Sequence, residues 1–276
     1  MEKDVNGPLG GQVAFVTGGG RGLGRAITGA LAQAGADVFI TGRTPETLES
    51  AIAQIEATGA NVGFAVGDVA DQAAMAQAVA RCEAELGPVD ILVNNAGTGA
   101  GGPVATADID EWWRVMEVNV KGPLILSRLV LPGMIERGAG HVVNLGSYQA
   151  INPAPMVSSY ATSKAALLRL TDSVAAEVIG NGVVVIAVSP GFVRTDMGRT
   201  AEAVMRENIP GFTEMTPEYV FEPEAVAGLI CRIARGDADV FHGRLLHVRD
   251  DLDALLSNKD AVLAENRFAL VFNAEV

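Results

Sequence analysis

The segment from Gln12 to Ala34 constrains the fold of this chain more than any other. It begins with a short apolar run, Gln12-Val-Ala-Phe-Val16, whose β-branched and aromatic residues are typical of a buried strand. A glycine-rich turn follows from Thr17 to Gly24, and apolar residues then recur at helical spacing from Arg25 to Ala34. Glycines let a backbone approach a ligand closely, and the free N–H groups at a helix start favour an anion. The segment therefore predicts a phosphate site for a nucleotide, although a glycine triplet alone would be weak evidence.

Strand and helix patterns alternate along the rest of the chain. Strands that are apolar on both faces and alternate with helices are typical of a parallel sheet covered by helices. We therefore expect an α/β fold, a doubly wound Rossmann-type sheet of about seven strands, in a single domain over residues 1–276. Further strands are predicted at 37–41, 62–66, 91–93, 141–145, 183–188 and 244–247, and helices at 45–58, 71–86, 109–137 (with a bend at Gly122-Pro123), 157–179 and 223–235.

Composition argues against several classes of partner and compartment. The net charge of -13 disfavours nucleic acid and anionic membranes, because both require a basic surface. Cys82 and Cys231 have no metal-type or redox-type spacing, which predicts free thiols and no metal site. The first seven residues lack the apolar core of a signal peptide, and no uncharged apolar run approaches the roughly 18 residues that span a bilayer. We expect a cytoplasmic protein.

Tyr160 and Lys164 are a candidate catalytic pair. They are four residues apart, so they share one helix face with about 5–6 Å between their Cβ atoms. Taken alone, such a pair is more often part of a solvated helix face. An adjacent ammonium and an oxidised nicotinamide would nevertheless lower the tyrosine pKa, which would allow proton exchange with an alcohol or carbonyl oxygen. Ser147 follows the fifth strand and is expected at the same edge of the sheet.

Together these features resemble the short-chain dehydrogenase/reductase family over roughly residues 10–248. The resemblance implies hydride transfer between a nicotinamide cofactor and a carbonyl or secondary alcohol, in a homodimer or homotetramer built from the helices around 109–137 and 157–179. The motifs occur in the family's order: Thr17-Gly18 with Gly22 and Gly24, Asp68, Asn94-Asn-Ala-Gly97, Asn119, Ser147, Tyr160 with Lys164, and Pro190-Gly191.

The resemblance also implies a role for each position. Tyr160 would be the general acid/base, Ser147 would hydrogen-bond the substrate oxygen, and Lys164 would lower the tyrosine pKa and hold the nicotinamide ribose. Asn119 would support a water relay to Lys164, or would only tie strands and helices together. Asp68 would bind the adenine, and Val193 and Thr195 the nicotinamide carboxamide. The full set of implied cofactor contacts is Gly18, Arg21, Gly22, Leu23, Gly24, Arg43, Asp68, Val69, Asn95, Ala96, Gly97, Tyr160, Lys164, Pro190, Gly191, Val193 and Thr195.

The end of the second strand bears on the choice of cofactor. NAD-preferring Rossmann proteins carry an acidic residue there, but this chain reads Thr41-Gly-Arg43. Arg43 can pair with a 2′-phosphate through its planar fork, and Arg21 could reach the same group. Alternatively, the Arg43 side chain could simply extend into solvent from the loop, or it could stack on the adenine ring. We expect NADP, with NAD less favoured.

Two segments depart from the alternating pattern. Residues 194–222 are loosely patterned, which suits a mobile flap over the substrate or a plain surface excursion. Residues 249–276 extend beyond the family core and contain Phe268, Leu270, Val271 and Phe272. Four large apolar residues so close together should be buried somewhere, and we favour a neighbouring subunit over the chain's own domain or the cleft rim.

The substrate is the least constrained part of the interpretation. The candidate pocket residues favour a fairly apolar carbonyl compound of small to medium size. Two other classes of function stay open, namely a lyase or epimerase that uses Tyr160 without net oxidation, and a nucleotide-sensing regulator. The presence of Ser147 and Lys164 beside Tyr160 argues against the regulator, which needs no proton donor. The pocket candidates are Trp113, Tyr148, Gln149, Phe192, Met197 and Phe212.

Overall fold

Seven parallel strands form one sheet in the computed structural model of the chain, which describes residues 7–99, 101–153, 155–208 and 211–269. The strand order is β3-β2-β1-β4-β5-β6-β7, so the direction of winding reverses between β1 and β4. That reversal opens the crevice in which ligands bind at the carboxyl ends of the strands. The strands are β1 (Val13–Thr17), β2 (Asp37–Gly42), β3 (Val62–Val66), β4 (Ile91–Asn94), β5 (Gly140–Leu145), β6 (Val183–Ser189) and β7 (Leu245–His247).

Helices cover both faces of the sheet, which confirms the predicted doubly wound fold in one domain. Alternate residues of β1 show how the two faces are filled. Val16 packs into the cluster that contains Ile27 and Leu31, whereas Phe15 packs into the opposite cluster and stacks on Phe39 with 5.5 Å between ring centroids. The helices are α1 (Gly22–Gln33), α2 (Pro45–Glu56), α3 (Gln72–Glu85), α4 (Ile109–Met116), α5 (Gly122–Arg137), α6 (Ser158–Glu177), α7 (Asp196–Asn208), α8 (Pro223–Ala234), α9 (Leu252–Ser257) and α10 (Lys259–Ala264).

Two helix boundaries differ from the sequence pattern. Helix α1 begins at Gly22 and therefore includes the last glycines of the turn, which the apolar periodicity from Arg25 did not reveal. The predicted helix over 109–137 contains a π-helical turn at Glu117–Lys121, directly before the bend predicted at Gly122-Pro123. Pro123 lies in the first turn of α5, directly after this π-helical turn, and lacks the N–H that a regular helix would need there.

One helical stretch, Ile109–Arg137, is long and apolar enough to cross a membrane by length and composition alone, within the described residues. Half of its most apolar window is buried inside the protein. Its α5 part packs against α3, β4 and β5. Core helices of soluble proteins meet the same two criteria.

The described part of the C-terminal extension returns to its own sheet. The N–H of Leu245 in β7 donates to the carbonyl oxygen of Phe268 at 2.9 Å, and Arg244 Nη1 donates to that of Arg267 at 2.6 Å. Phe268 is half-buried against the core cluster on that side. The sequence favoured docking on a neighbouring subunit, but Phe268 docks on its own domain, because the chain turns back and pairs with the short edge strand. Leu270, Val271 and Phe272 lie outside the described residues.

Candidate active site

The glycine-rich turn after β1 is held in place by polar groups at the end of β4. Thr17 Oγ1 accepts the N–H groups of Asn95 at 3.0 Å and Ala96 at 2.9 Å. In return, Asn95 Nδ2 donates to the carbonyl oxygens of Thr17 at 2.8 Å and Gly18 at 3.3 Å. The Asn95 side chain therefore fixes the shape of the turn.

Glycine at position 24 makes this turn sterically possible. A Cβ on Gly24 would lie 2.1 Å from the carbonyl oxygen of Gly18 and 2.5 Å from Asn95 Nδ2. Gly18 and Gly22 have φ values of 66° and 51°, which side chains other than glycine rarely adopt. The turn thus leads the N-terminus of α1 up to the crevice without side chains in the way. This is the geometry that accepts the pyrophosphate of a dinucleotide.

Substituting Gly24 tests this close approach. Gly24→Ala should lower the free energy of unfolding by about 1–3 kcal/mol or more and weaken nucleotide binding, because the turn must move away from the new methyl group. Gly29→Ala is a matched control on the same helix, since its Cβ would meet no atom within 4 Å. We expect that control to be neutral or more stable by up to about 1 kcal/mol. Equal melting temperatures and nucleotide affinities in the two variants would contradict this account.

Helix α6 and the end of β5 bring the predicted catalytic side chains together. Tyr160 and Lys164 share one face of α6, with the Lys164 ammonium 5.5 Å from the Tyr160 ring centroid. Ser147 directly follows the turn that ends β5 and is hydrogen-bonded to Tyr160. Ser147 Oγ donates to Gln149 Oε1 at 2.5 Å and accepts the N–H of Gln149 at 3.2 Å, so Gln149 holds the hydroxyl in place.

Burial shifts the pKa of both ionisable groups. It raises the pKa of Tyr160 above its ordinary value, while the hydrogen bond with Ser147 acts in the opposite direction. Burial lowers the pKa of Lys164 from 10.5 to about 8, and its Nζ donates to the carbonyl oxygen of Leu145 at 2.6 Å. The sequence suggested that Lys164 would lower the tyrosine pKa. Within the protein, desolvation is the larger effect on Tyr160, which therefore remains a phenol at neutral pH.

Asn119 lies in the π-helical turn, and its side chain is fully hydrogen-bonded. Its Oδ1 accepts the N–H of Thr98 at 2.9 Å, and its Nδ2 donates to the Thr98 carbonyl at 2.8 Å and to Ser163 Oγ at 2.9 Å. The side chain thus ties the loop after β4 to α6. Gly97 lies between the Asn119 and Lys164 side chains, because a Cβ on Gly97 would be 3.4 Å from Asn119 Oδ1 and 3.8 Å from Lys164 Nζ. A water relay through Asn119 stays a prediction. Because the Asn119 side chain is already engaged, the water would have to bind main-chain atoms of that residue.

The adenosine side of the crevice carries a pair that the sequence interpretation missed. Asp68 Oδ1 accepts the N–H of Ala70 at 2.9 Å, and its other oxygen pairs with the Arg114 guanidinium. Arg114 also donates to Glu117 at 2.9 Å. The helical spacing of Arg114 and Glu117 is visible in the sequence, whereas the pairing of Arg114 with Asp68 is not. Val69 is buried against Gly122, and Leu23 packs against the core on the opposite face.

The predicted phosphate-binding arginines lie at the surface beside the glycine-rich turn. Arg43 is exposed at the end of β2, and no ion pair or hydrogen bond engages it within the described part of the chain. Arg21 precedes α1, and its Nη1 lies 3.8 Å from Asp196 Oδ2 with both side chains about two-thirds exposed. Both guanidinium groups are therefore accessible to an anion.

Residues 194–222 are closed at their base and reach the glycine-rich turn. The N–H of Phe192 donates to the Tyr219 carbonyl at 3.0 Å, and the N–H of Phe221 donates back to the Phe192 carbonyl at 2.9 Å. Thr195 approaches within 3.1 Å of the place where a Cβ on Gly22 would lie. Pro190 and Gly191 precede this closure, and Val193 is anchored in the core. The segment therefore meets the glycine-rich turn through Thr195, and its role as a flap over the substrate stays a prediction.

The pocket candidates are divided between the crevice and the outer surface. Tyr148, Gln149 and Phe192 follow strands at the carboxyl edge. Trp113 lies on the outer face of α4 and is 57% exposed. Its neighbour Trp112 instead points inward and donates to Ser158 Oγ at 3.1 Å, at the start of α6. Trp113 was therefore the wrong choice of the two for the pocket, because the turn of α4 directs it to solvent.

Comparison with known proteins agrees with the site geometry. The family model for short chain dehydrogenase matches residues 12–205. A short chain dehydrogenase of Pseudocercospora fijiensis is 43% identical over 72% of this chain, and the match spans 65% of that protein. A galactitol 2-dehydrogenase of Rhizobium johnstonii is 40% identical, over 87% of this chain and 94% of that protein.

Two solved structures are similar in both fold and sequence. An NAD⁺-bound xylitol dehydrogenase has a TM-score of 0.80 at 26% identity, covering 86% of this chain and 97% of the other. A gluconate 5-dehydrogenase of Burkholderia cenocepacia in complex with NADP and tartrate has a TM-score of 0.76 at 29% identity, covering 88% and 96%. The chain belongs to the short-chain dehydrogenase/reductase family and is an oxidoreductase of that family.

Proposed function

We propose that this oxidoreductase uses NADP(H) to interconvert a secondary alcohol and a ketone, with Tyr160 as the general acid/base. The observation that carries the proposal is the meeting of Ser147, Tyr160 and Lys164 beside a glycine-rich cradle at one edge of the sheet. Relatives named for galactitol, xylitol and gluconate favour a small polyhydroxylated substrate over the apolar one expected from the pocket candidates.

The residues of the site divide the chemistry among them. A bound nicotinamide supplies or accepts the hydride. In the reductive direction the Tyr160 hydroxyl donates its proton to the carbonyl oxygen. The same oxygen receives a hydrogen bond from the Ser147 hydroxyl, which turns to it from Gln149 when substrate binds. Because burial raises the pKa of Tyr160, the phenol keeps this proton at neutral pH. Oxidation of the alcohol requires the phenolate and is therefore favoured at higher pH.

The preference for NADP rests on charge at the end of β2. No carboxylate stands at Thr41, Gly42 or Arg43 to hold the ribose hydroxyls or repel a 2′-phosphate. The Arg43 guanidinium is exposed and available, and Arg21 lies on the other side of the same opening. An arginine can bind a phosphate with two parallel hydrogen bonds, which a neutral ribose hydroxyl cannot match.

Reversing the charge at position 43 tests the cofactor preference. Arg43→Asp should weaken NADPH binding by about 1–3 kcal/mol, because a phosphate partner is replaced by a like charge, and should leave NADH use unchanged or improved. The measurement is the ratio of kcat/KM for the two cofactors. Lys259→Asp, an equal charge change on the exposed side of α10, is the control. A wild type that prefers NADH, with a ratio insensitive to Arg43→Asp, would refute the preference.

The reaction class itself is tested with a substrate panel. Polyols and sugar acids, and their keto derivatives, are each mixed with NADP(H) or NAD(H), and the absorbance of the reduced nicotinamide is followed. We expect turnover with at least one hydroxyl/ketone pair in both directions. If no compound in the panel changed the absorbance of the nicotinamide, the result would favour a lyase, an epimerase or a regulator instead.

A further inference from the structure

A cavity of about 190 Å³ lies at the carboxyl ends of β6 and β7, next to the candidate active site. Tyr148 lines it and directly follows Ser147, while Ser189 lines it and directly precedes Pro190. The cavity thus adjoins both the segment that would bind the substrate oxygen and the segment that would bind the nicotinamide. Its remaining walls include Leu168 of α6, His247 of β7, and Arg249 and Phe268 of the C-terminal extension.

Ser189 brings an unused polar group to this cavity. Its side chain is 1% exposed, and its Oγ has no hydrogen-bond partner among the described residues. Leaving a buried hydroxyl unpaired costs about 1–3 kcal/mol, so buried polar groups are nearly always paired. Because this Oγ exposes less than 1 Å² of surface, the side chain must turn toward the cavity before a ligand there can complete its hydrogen bonding.

His247 lies opposite Ser189 in the register of β6 and β7 and provides a donor. Its Nδ1 accepts the N–H of Arg249 at 3.1 Å. Burial, with the nearby Arg249 charge, lowers the pKa of His247 below its ordinary value, so the ring is neutral at pH 7. With Nδ1 serving as acceptor, the single ring proton is on Nε2, which is therefore a hydrogen-bond donor.

Arg249 adds a cation without a carboxylate partner. Its guanidinium lies 5.7 Å from the Tyr148 ring centroid, and no described acidic group is within ion-pair distance of it. Asp250 also lines the cavity, but one of its oxygens accepts the N–H of His247 at 2.8 Å. Arg249 and Asp250 therefore bring one charge of each sign to the cavity. The Asp250 carboxylate is engaged by the protein, whereas the Arg249 guanidinium is left to pair with an anionic ligand.

We propose that this cavity binds the carboxylate end of a polyhydroxy acid whose hydroxyl-bearing carbon reacts at Tyr160. Arg249 and the Nε2–H of His247 bind the carboxylate, and the Ser189 hydroxyl binds a neighbouring hydroxyl group of the substrate. The inference rests on the proposed function and narrows its substrate class to sugar acids. A neutral polyol of the same length could use Ser189 and His247 but has no charge for Arg249.

Calorimetry with gluconate and glucitol, a matched acid and polyol, tests the site without requiring turnover. Wild-type full-length chain with NADP⁺ should bind gluconate at least about tenfold more tightly than glucitol. Arg249→Met should remove this difference by weakening gluconate alone, and Arg249→Lys should restore part of it. Lys259→Met, which removes an exposed cation from α10 and lies outside the cavity lining, should change neither affinity.

Ser189→Ala separates ligand binding from folding. Because the hydroxyl has no protein partner to lose, this variant should keep or raise the melting temperature while weakening gluconate binding several-fold. Equal gluconate and glucitol affinities, absence of gluconate binding, or a gluconate affinity unaffected by Arg249→Met would overturn the proposed site. If the site is overturned in one of these ways but the protein still oxidises polyols, the proposed function remains supported. Arg249-dependent gluconate binding without any hydride transfer would instead contradict the proposed function and retain the site.

Discussion

Tyr160→Phe should lower kcat by about two to four orders of magnitude and leave cofactor affinity near that of the wild type. The phenyl ring fills the same space on α6 but has no proton to give to a carbonyl oxygen. It also lacks the hydrogen bond with Ser147, whose loss should cost only about 1 kcal/mol of stability. Steady-state rates and nucleotide titrations on the same preparation measure the two effects separately.

Tyr219→Phe is the matched control for this substitution. Tyr219 lies at the base of the segment 194–222 and is 45% exposed, so the loss of its hydroxyl should leave kcat within about twofold of the wild type. Substantial turnover by pure Tyr160→Phe protein would show that another group moves the proton. A comparable loss in Tyr219→Phe would show that the effect is not specific to Tyr160.

Lys164→Met should abolish most turnover and weaken cofactor binding, and it should also change how stability depends on pH. The wild-type ammonium is buried, which lowers the pKa of Lys164 from 10.5 to about 8. Below about pH 8 the folded protein carries the full cost of this desolvated charge. As pH rises from there to 10.5, the unfolded chain binds more protons than the folded one, so wild-type stability increases.

The expected size of this effect is on the order of 3 kcal/mol. Measured by denaturant titration from neutral pH to about pH 11, the stability of the wild type relative to Lys164→Met should rise by that amount. Lys259→Met, which removes an exposed ammonium from α10, controls for the loss of one lysine. A stability difference that stays flat across this range would mean that Lys164 is not a buried cation.

Much of this architecture follows from local chemistry that a single sequence contains. Strands such as Val13–Thr17 and Val183–Ser189 are apolar on both faces, which indicates a covered parallel sheet before any coordinates are known. Polar residues that directly follow such strands, including Ser147, must meet at the carboxyl edge. Tyr160 and Lys164 required only the helical repeat to be placed on one face.

The parts that could not be predicted depend on tertiary hydrogen bonds and on where the chain returns. Asn95 and Asn119 have the same side-chain chemistry whether they contact a cofactor or hold a turn, and only the positions of Thr17, Thr98 and Ser163 distinguish the two uses. The Asp68–Arg114 pair joins residues far apart in sequence with no local signal. The return of Phe268 to β7 likewise depends on the length of a path that apolar composition does not encode.

Cavity residues after β6 and β7 are an intermediate case. The predicted strands 183–188 and 244–247 end at or next to Ser189 and His247, but the sequence interpretation singled out neither residue. It also did not show that Ser189 lacks a partner or that Arg249 lies over Tyr148 unpaired. Both facts depend on tertiary contacts around the ends of β6 and β7.

The central claim is hydride transfer with proton exchange at Tyr160, and isotope transfer tests it most directly. NADPH deuterated at the reactive carbon of its nicotinamide is incubated with keto derivatives of sugar acids and polyols, and the products are analysed by mass spectrometry. We predict one deuterium at the carbinol carbon of the product in the wild type and none in Tyr160→Phe over the same time. Products formed by the wild type without deuterium, and without loss of reduced nicotinamide, would contradict the account.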